Sequence, residues 1–349
     1  MLMISGAGSF FALLGGRTDL AWVDSVAGQF EHPAWNGFTF YDFIFPLFLF
    51  MAGVSLSFSL NSTRHQNLPH AVLYKKALKR MLILMGLGIL YKNAPLPLFE
   101  PSQIRFVSVL GRIGFAGFIT TILYLNFGPR GRIGWIAGIL LAYYAALSLV
   151  PVPGYGAGDW SLEGNLAGWF DRHFLPGRLL QKTYDELGLL TQFPALCLTM
   201  LGAFGGDILR GGESGGRKLK KLGLLGVGGI VAGLLGALHF PINKHLWTSS
   251  FILMTGGMSF LALALFHGLI DVCGFKRWAF FFQVIGMNSL TIYLLNGFID
   301  FKYTSARLFA GIYRHAPENW HVVWQALGAL ALVWLFLYFL YRNKLFLKV

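Results

Sequence analysis

The side chains best suited to chemistry fall at a few places along the chain. His32 opens the stretch His32-Pro33-Ala34-Trp35-Asn36-Gly37-Phe38-Thr39, and Asp42 follows ten residues after it. Asn36-Gly37 makes a tight turn, so the chain doubles back and carries a carboxylate toward an imidazole. Such a neighbour fixes the tautomer of the ring and raises its basicity, which is half of an acid–base or acyl-carrier constellation. The competing reading is a solvated loop histidine beside Trp35, an anchor at a membrane interface. Asp42 and Arg112 both sit within apolar runs, where each costs at least about 2.5–3.5 kcal/mol at a helix centre on insertion scales. Asp42 either satisfies free N–H groups at a helix start or faces a polar cavity against a partner. Arg112, in Leu110-Gly111-Arg112-Ile113-Gly114, either admits a ligand between its glycines or serves as a structural ion pair or interfacial snorkel. Taken alone, Lys244 beside Asn243 reads as a loop or headgroup charge. Asn288 in Gly286-Met287-Asn288-Ser289 reads as a hydrogen bond between helices.

The elements that must position these residues are set by composition. Of 349 residues, 55% are hydrophobic and only 12% charged, and mean hydropathy is +0.59. A soluble domain of this size could not bury so much apolar surface. Apolar runs near the length of a bilayer span lie at about 1–15, 38–60, 77–91, 105–126, 133–150, 188–209, 222–240, 248–270, 278–299 and 321–341. The expectation is an all-α membrane protein, a polytopic bundle of about ten transmembrane helices forming a single transmembrane domain over residues 1–349. The extended polar stretch, about 151–187, is an extracytoplasmic loop in this scheme.

Alternate loops differ sharply in charge. One set collects Arg64, Lys75, Lys76, Lys79, Arg80, Arg130, Arg132, Arg210, Arg217, Lys218, Lys220 and Lys221, with few acids beyond Asp207 and Glu213. The other set holds Asp19, Asp24, Glu31, Glu100, Asp159, Glu163, Asp171, Asp185 and Glu186. The positive-inside rule makes the first set cytoplasmic, with both termini there. Topology thus explains the +13 formal charge, and nucleic-acid binding is not needed to account for it. Cys197 and Cys273 lie near or within apolar runs and imply neither a disulfide framework nor a metal site.

Together these stretches resemble the transmembrane acyltransferase family of heparan-α-glucosaminide N-acetyltransferase and its bacterial relatives, some of which are labelled N-acetylglucosamine-related transporters. The matching stretches are His32 to Gly37 leading through Asp42 to Phe45-Pro46, then Leu110 to Gly114, Val150-Pro151-Val152-Pro153-Gly154, Asn243-Lys244-His245-Leu246-Trp247-Thr248-Ser249, and Gly286 to Ser289. The resemblance implies acetyl transfer from cytoplasmic acetyl-CoA to the amine of glucosamine or a terminal amino sugar on the far side. His32 would be the acyl carrier or general base and Asp42 its orienting partner. Arg112, Lys244 and Asn288 would meet the donor, as contacts to CoA or as cavity wall, and Trp35, Asn36, Asn243 and Trp247 the acceptor. The resemblance also implies a homodimer. The absence of a targeting presequence or glycan-rich loop points to a bacterial cytoplasmic (inner) membrane, and no metal is expected. The family's Leu-Asp-x-x-Arg-Gly-like stretch comes before the point where this sequence begins, so its role is missing or the start is set downstream of it, and Ser5 or Ser9 stands near a polar position of the first core helix. Without a large lumenal domain ahead of the bundle, a monosaccharide or short glycan is the expected acceptor. The alternative is an amino-sugar transporter, for which paired repeats with broken helices would be expected. No such internal symmetry is visible.

Overall fold

The computed structural model describes residues 11, 14, 21–65, 67–97 and 99–347. The expected first segment, with Ser5 and Ser9, lies almost wholly outside them. Among the described residues the protein is all-α, with seven helices long and apolar enough to cross a membrane. It divides into two compact units.

The larger unit contains residues 33–38 and 42–273. Its helices are α2 (Phe40–Leu60, the first two residues of which count with the other unit), α3 (His70–Lys92), α4 (Val109–Asn126), α5 (Pro129–Leu149) and α6 (Leu166–Phe174). They are followed by α7 (Gln192–Arg210), α8 (Gly215–Gly236) and α9 (Ser249–His267), which ends in a π turn over Gly268–Val272. Local chemistry sets several starts. Ser108 accepts the Gly111 N–H ahead of α4, and Thr248 accepts the Phe251 N–H ahead of α9. Pro129 opens α5, where its missing N–H costs nothing.

In lipid, helices gain little from hiding apolar surface from one another, so close approach and hydrogen bonds must hold them. The glycines supply that approach. A Cβ on Gly53 of α2 would overlap the Thr199 carbonyl of α7, and one on Gly202 of α7 would overlap the Phe50 carbonyl. Helix α8 is built inside out. Gly226, Gly229 and Gly233 press against α9, while Leu224, Val227, Val231, Leu234 and Leu235 face outward, as a lipid-facing surface would. The core gathers on α7, where Ala195, Leu196, Cys197, Leu198 and Met200 are buried with Leu49, Trp247, Phe251 and Ile252.

The polar stretch 151–187 is folded rather than slack. Asn165 caps α6, accepting the Gly168 N–H. Arg105 grips Asp185 through two short bonds of 2.6 and 2.7 Å. Asp171 accepts the backbone N–H groups of Leu189 and Asp185. Burial pushes the Asp171 carboxyl up to about 7, against the pull of those two hydrogen bonds.

Of the described residues, the smaller unit contains 11, 14, 21–32, 39–41 and 274–347. It holds α1 (Ala21–Gly28), α10 (Ala279–Met287), α11 (Ser289–Leu295), α12 (Phe301–Leu308), α13 (Ala310–Tyr313) and α14 (His321–Arg342). The expected continuous span 278–299 is therefore broken. Asn288 leaves helical geometry (φ −124°, ψ 28°) between α10 and α11, where its side chain makes no capping hydrogen bond. The expected segment 77–91 is the apolar part of α3, whose first half carries Lys75, Lys76, Lys79 and Arg80. Val284, Ile292 and Leu337 form the core of this unit.

Candidate functional site

Three loops and one helix start meet in the larger unit. Asp42 lies in the first turn of α2, as the capping alternative expects, yet it is fully buried and faces a cation. Lys244 Nζ is 3.6 Å from its Oδ1 and 3.7 Å from Glu186 Oε2. Pro46 lies one turn further along α2 and cannot donate to the Asp42 carbonyl. His245, next to Lys244, places Nδ1 3.2 Å from Glu186 Oε1 and 2.9 Å from the Tyr184 hydroxyl. The indole of Trp35 lies flat on the His245 ring, with centroids 5.2 Å apart and planes 6° apart. Trp35 is itself held by its N–H on the Trp160 carbonyl.

The loop 241–248 owes its shape to Asn243 and Thr248. Asn243 donates to Asn36 Oδ1 at 2.9 Å and accepts the Leu246 N–H through its own oxygen. Its backbone N–H reaches Thr248 Oγ1. The Gly37 N–H meets the Ile242 carbonyl, so the turn expected at Asn36-Gly37 is fastened to this loop. Gly37 has φ +128°, a geometry that side chains rarely tolerate. Trp247 is also left-handed (φ 51°) although fully buried, and a bulky residue holds that backbone only where its surroundings over-determine it.

Arg112, one turn into α4, is 1% exposed, which excludes the snorkel. Its guanidinium lies 4.5 Å from the centre of the Trp247 ring. It also donates to Thr191 Oγ1 and Gln192 Oε1. Its Nη1 and the Trp247 Nε1 are both buried donors without a hydrogen-bond partner. Two orphaned donors in one contact are costly, and an acceptor oxygen would satisfy them.

His32 and Asn288 belong to the smaller unit. His32 is exposed, with its ring centroid 4.5 Å from that of Tyr41. Asn288 is buried, and its Nδ2 is another donor without a partner.

A second polar cluster ties helix ends in the larger unit. Asp207 accepts from Ser57, Tyr124 and Arg132 at 2.7, 2.5 and 3.0 Å. Arg132 also stacks on Tyr124 and Phe204. Both charges, assigned to loops from the sequence, are drawn into α7 and α5. Asp42 and Ser57 lie about 22 Å apart along α2, so the two clusters occupy opposite ends of the helix.

The family model of the heparan-α-glucosaminide N-acetyltransferase catalytic region matches residues 12–237. The chain belongs to that family. Heparan-α-glucosaminide N-acetyltransferase of Mus musculus is 26% identical over 378 residues, covering 92% of this chain and 56% of the mouse protein. The Homo sapiens protein of the same name is 26% identical over 379 residues with the same shares. The chain thus spans a little over half the length of the curated relatives it matches.

The family match includes His32, Trp35, Asn36, Asp42 and Arg112, and also Tyr184 and Glu186, which sequence reasoning passed over. It ends before Asn243-Lys244-His245, which the fold brings onto the matched residues Asn36, Asp42 and Glu186. Glu186 had one available signal, a carboxylate adjoining Asp185 in the polar loop. His245 had another, standing inside a stretch already singled out.

Proposed function

We propose that this protein is a multi-pass membrane acetyltransferase that moves an acetyl group from cytoplasmic acetyl-CoA to the amine of glucosamine or a terminal amino sugar. The acceptor sits on the extracytoplasmic side, and both chain termini are cytoplasmic. The observation that carries this reading is the fully buried Asp42 facing Lys244 at 3.6 Å within a chain of the N-acetyltransferase family. Ionisable groups are expensive inside apolar helices and are retained where they work.

His32 serves as acyl carrier or general base, and Asp42 is the buried carboxylate that Lys244 faces. Arg112 Nη1 and Trp247 Nε1 offer donors to a carbonyl oxygen of the acetyl group or of the pantetheine arm. Lys244 balances the carboxylates at the same site, and Asn288 lines the donor path. Trp35 provides an apolar face for a sugar ring, while Asn36 and Asn243 hold its loop in place. CoA itself is too highly charged to cross a bilayer, whereas an acetyl group can be handed across. The relatives are named as acetyltransferases, which lends the carrier alternative no support.

The test is transfer from radiolabelled acetyl-CoA to glucosamine by detergent-purified protein, wild type beside His32→Ala. The wild type should transfer, and the variant should fold normally and lose roughly 10²-fold or more. Transfer by the variant at the wild-type rate would remove His32 from the mechanism. A wild type that transfers nothing, yet takes up labelled N-acetylglucosamine in sealed vesicles, would replace the enzyme with a carrier.

A further inference from the structure

On the reading just given, we propose that Glu186 and His245 form the proton-accepting pair for the acceptor amine: Glu186 holds the incoming ammonium and His245 takes its proton. An amino sugar arrives largely protonated, and its nitrogen cannot attack an acyl carbon until one N–H bond breaks. The pair is built for that step. Glu186 Oε1 lies 3.2 Å from His245 Nδ1, so a proton released to the carboxylate has a short onward path. The Glu186 side chain is 20% exposed and that of His245 only 9%, which puts the carboxylate on the open side and the imidazole behind it.

Tyr184 keeps both protonation states of the ring satisfied. Burial, then the neighbouring charges of Glu186 and Asp185, push its phenol up, so it keeps its proton. Its hydroxyl lies 2.9 Å from Nδ1 and can donate to the bare nitrogen. Once Nδ1 carries a proton, that proton points to Glu186 and the hydroxyl can act as acceptor. Nδ1 therefore has a partner in either state, the Tyr184 hydroxyl when bare and Glu186 Oε1 when protonated. The uncharged Trp35 ring covers one face of the imidazole. Nε2 lies 3.5 Å from the carbonyl of Pro33, the residue that follows His32 in the chain. The other charges facing this pair include Lys244, on Glu186 Oε2, Asp42 beyond it, and, further off, Asp185 and Arg112.

The step balances. One ammonium N–H bond breaks and an Nδ1–H bond forms, with Glu186 ending as it began. The freed amine forms the new C–N bond as the acyl bond to its carrier breaks. The second proton the amine loses goes to the leaving His32 nitrogen, replacing the one His32 gave to the CoA thiolate when it took up the acetyl group, and His245 returns the first to water. With proton removal assigned here, His32 is left the acyl-carrying role.

The experiment compares wild type, His245→Asn and Glu186→Gln in the full-length purified protein, with acetyl-CoA saturating. Two acceptors are used: glucosamine, and methoxyamine, an amine already unprotonated at neutral pH. Each variant should lose roughly 10²-fold with glucosamine and stay within about threefold of wild type with methoxyamine. Raising the pH should restore glucosamine transfer by His245→Asn as the free amine accumulates. Equal losses with both acceptors and no recovery at high pH would reduce the pair to a structural role and overturn the proposal. Wild-type rates with glucosamine would overturn it as well. A wild type that transfers to neither acceptor would instead bring down the acetyltransferase reading, and this proposal with it.

Discussion

Replacing Lys244 by methionine keeps the length of the side chain and removes its charge, leaving Asp42 fully buried without the cation that faces it. At the observed 3.6 Å the attraction is about 4–5 kcal/mol for an effective dielectric near 20. Desolvation of both charges offsets much of that in the intact pair, so the pair adds little net stability. Breaking it is another matter, because the remaining carboxylate stays buried with its facing cation gone, at a cost of about 3–5 kcal/mol. Glu186 adds less, since it is partly exposed and solvent screens it. Lys244→Met should therefore lower stability by about 3–5 kcal/mol. Adding Asp42→Asn should recover about 2–3 kcal/mol of that loss, as coupled neighbours do in a double-mutant cycle. The assay is denaturation in mixed micelles followed by tryptophan fluorescence for wild type, both single variants and the double. Strictly additive single effects, or a Lys244→Met protein within about 0.5 kcal/mol of wild type, would refute the account of the site as a coupled buried charge cluster.

Two further predictions concern the scaffold. The Asp171 carboxyl, raised to about 7 by burial, is neutral in the folded protein at pH 5 but ionised in the unfolded chain. Its contribution is complete below about pH 4 and fades as pH rises toward 7, by on the order of 4 kcal/mol. Melting temperatures across pH 4–8 should therefore fall more steeply for wild type than for Asp171→Asn, which cannot ionise. Parallel curves would contradict the raised carboxyl. Gly202→Val would set a side chain on the Phe50 carbonyl at the crossing of α2 and α7, where neither backbone can give way. That variant should yield little monodisperse protein in detergent, whereas Gly223→Val, at a position with open space around it, should purify like wild type.

The sequence by itself determined the class of molecule. Long apolar runs leave a backbone no way to satisfy its hydrogen bonds in lipid except as helices, and the runs at 38–60, 188–209 and 321–341 became α2, α7 and α14 nearly as drawn. Asp42 and Arg112 were legible as site candidates because a charge in such a run is costly wherever the chain goes. The break at Asn288 was not legible, since an apolar run reads alike whether one helix or two cross it. Nor was the depth of Arg132 and Asp207, which look like loop charges until Tyr124 and Ser57 close around them. Tertiary structure alone decided that Glu186, His245 and Lys244 join Asp42. Those four residues are spread over some two hundred positions, and their side chains are ordinary in their own loops. What makes them a site is burial together at the mouth of α2, where low dielectric turns a few ångströms of separation into strong coupling.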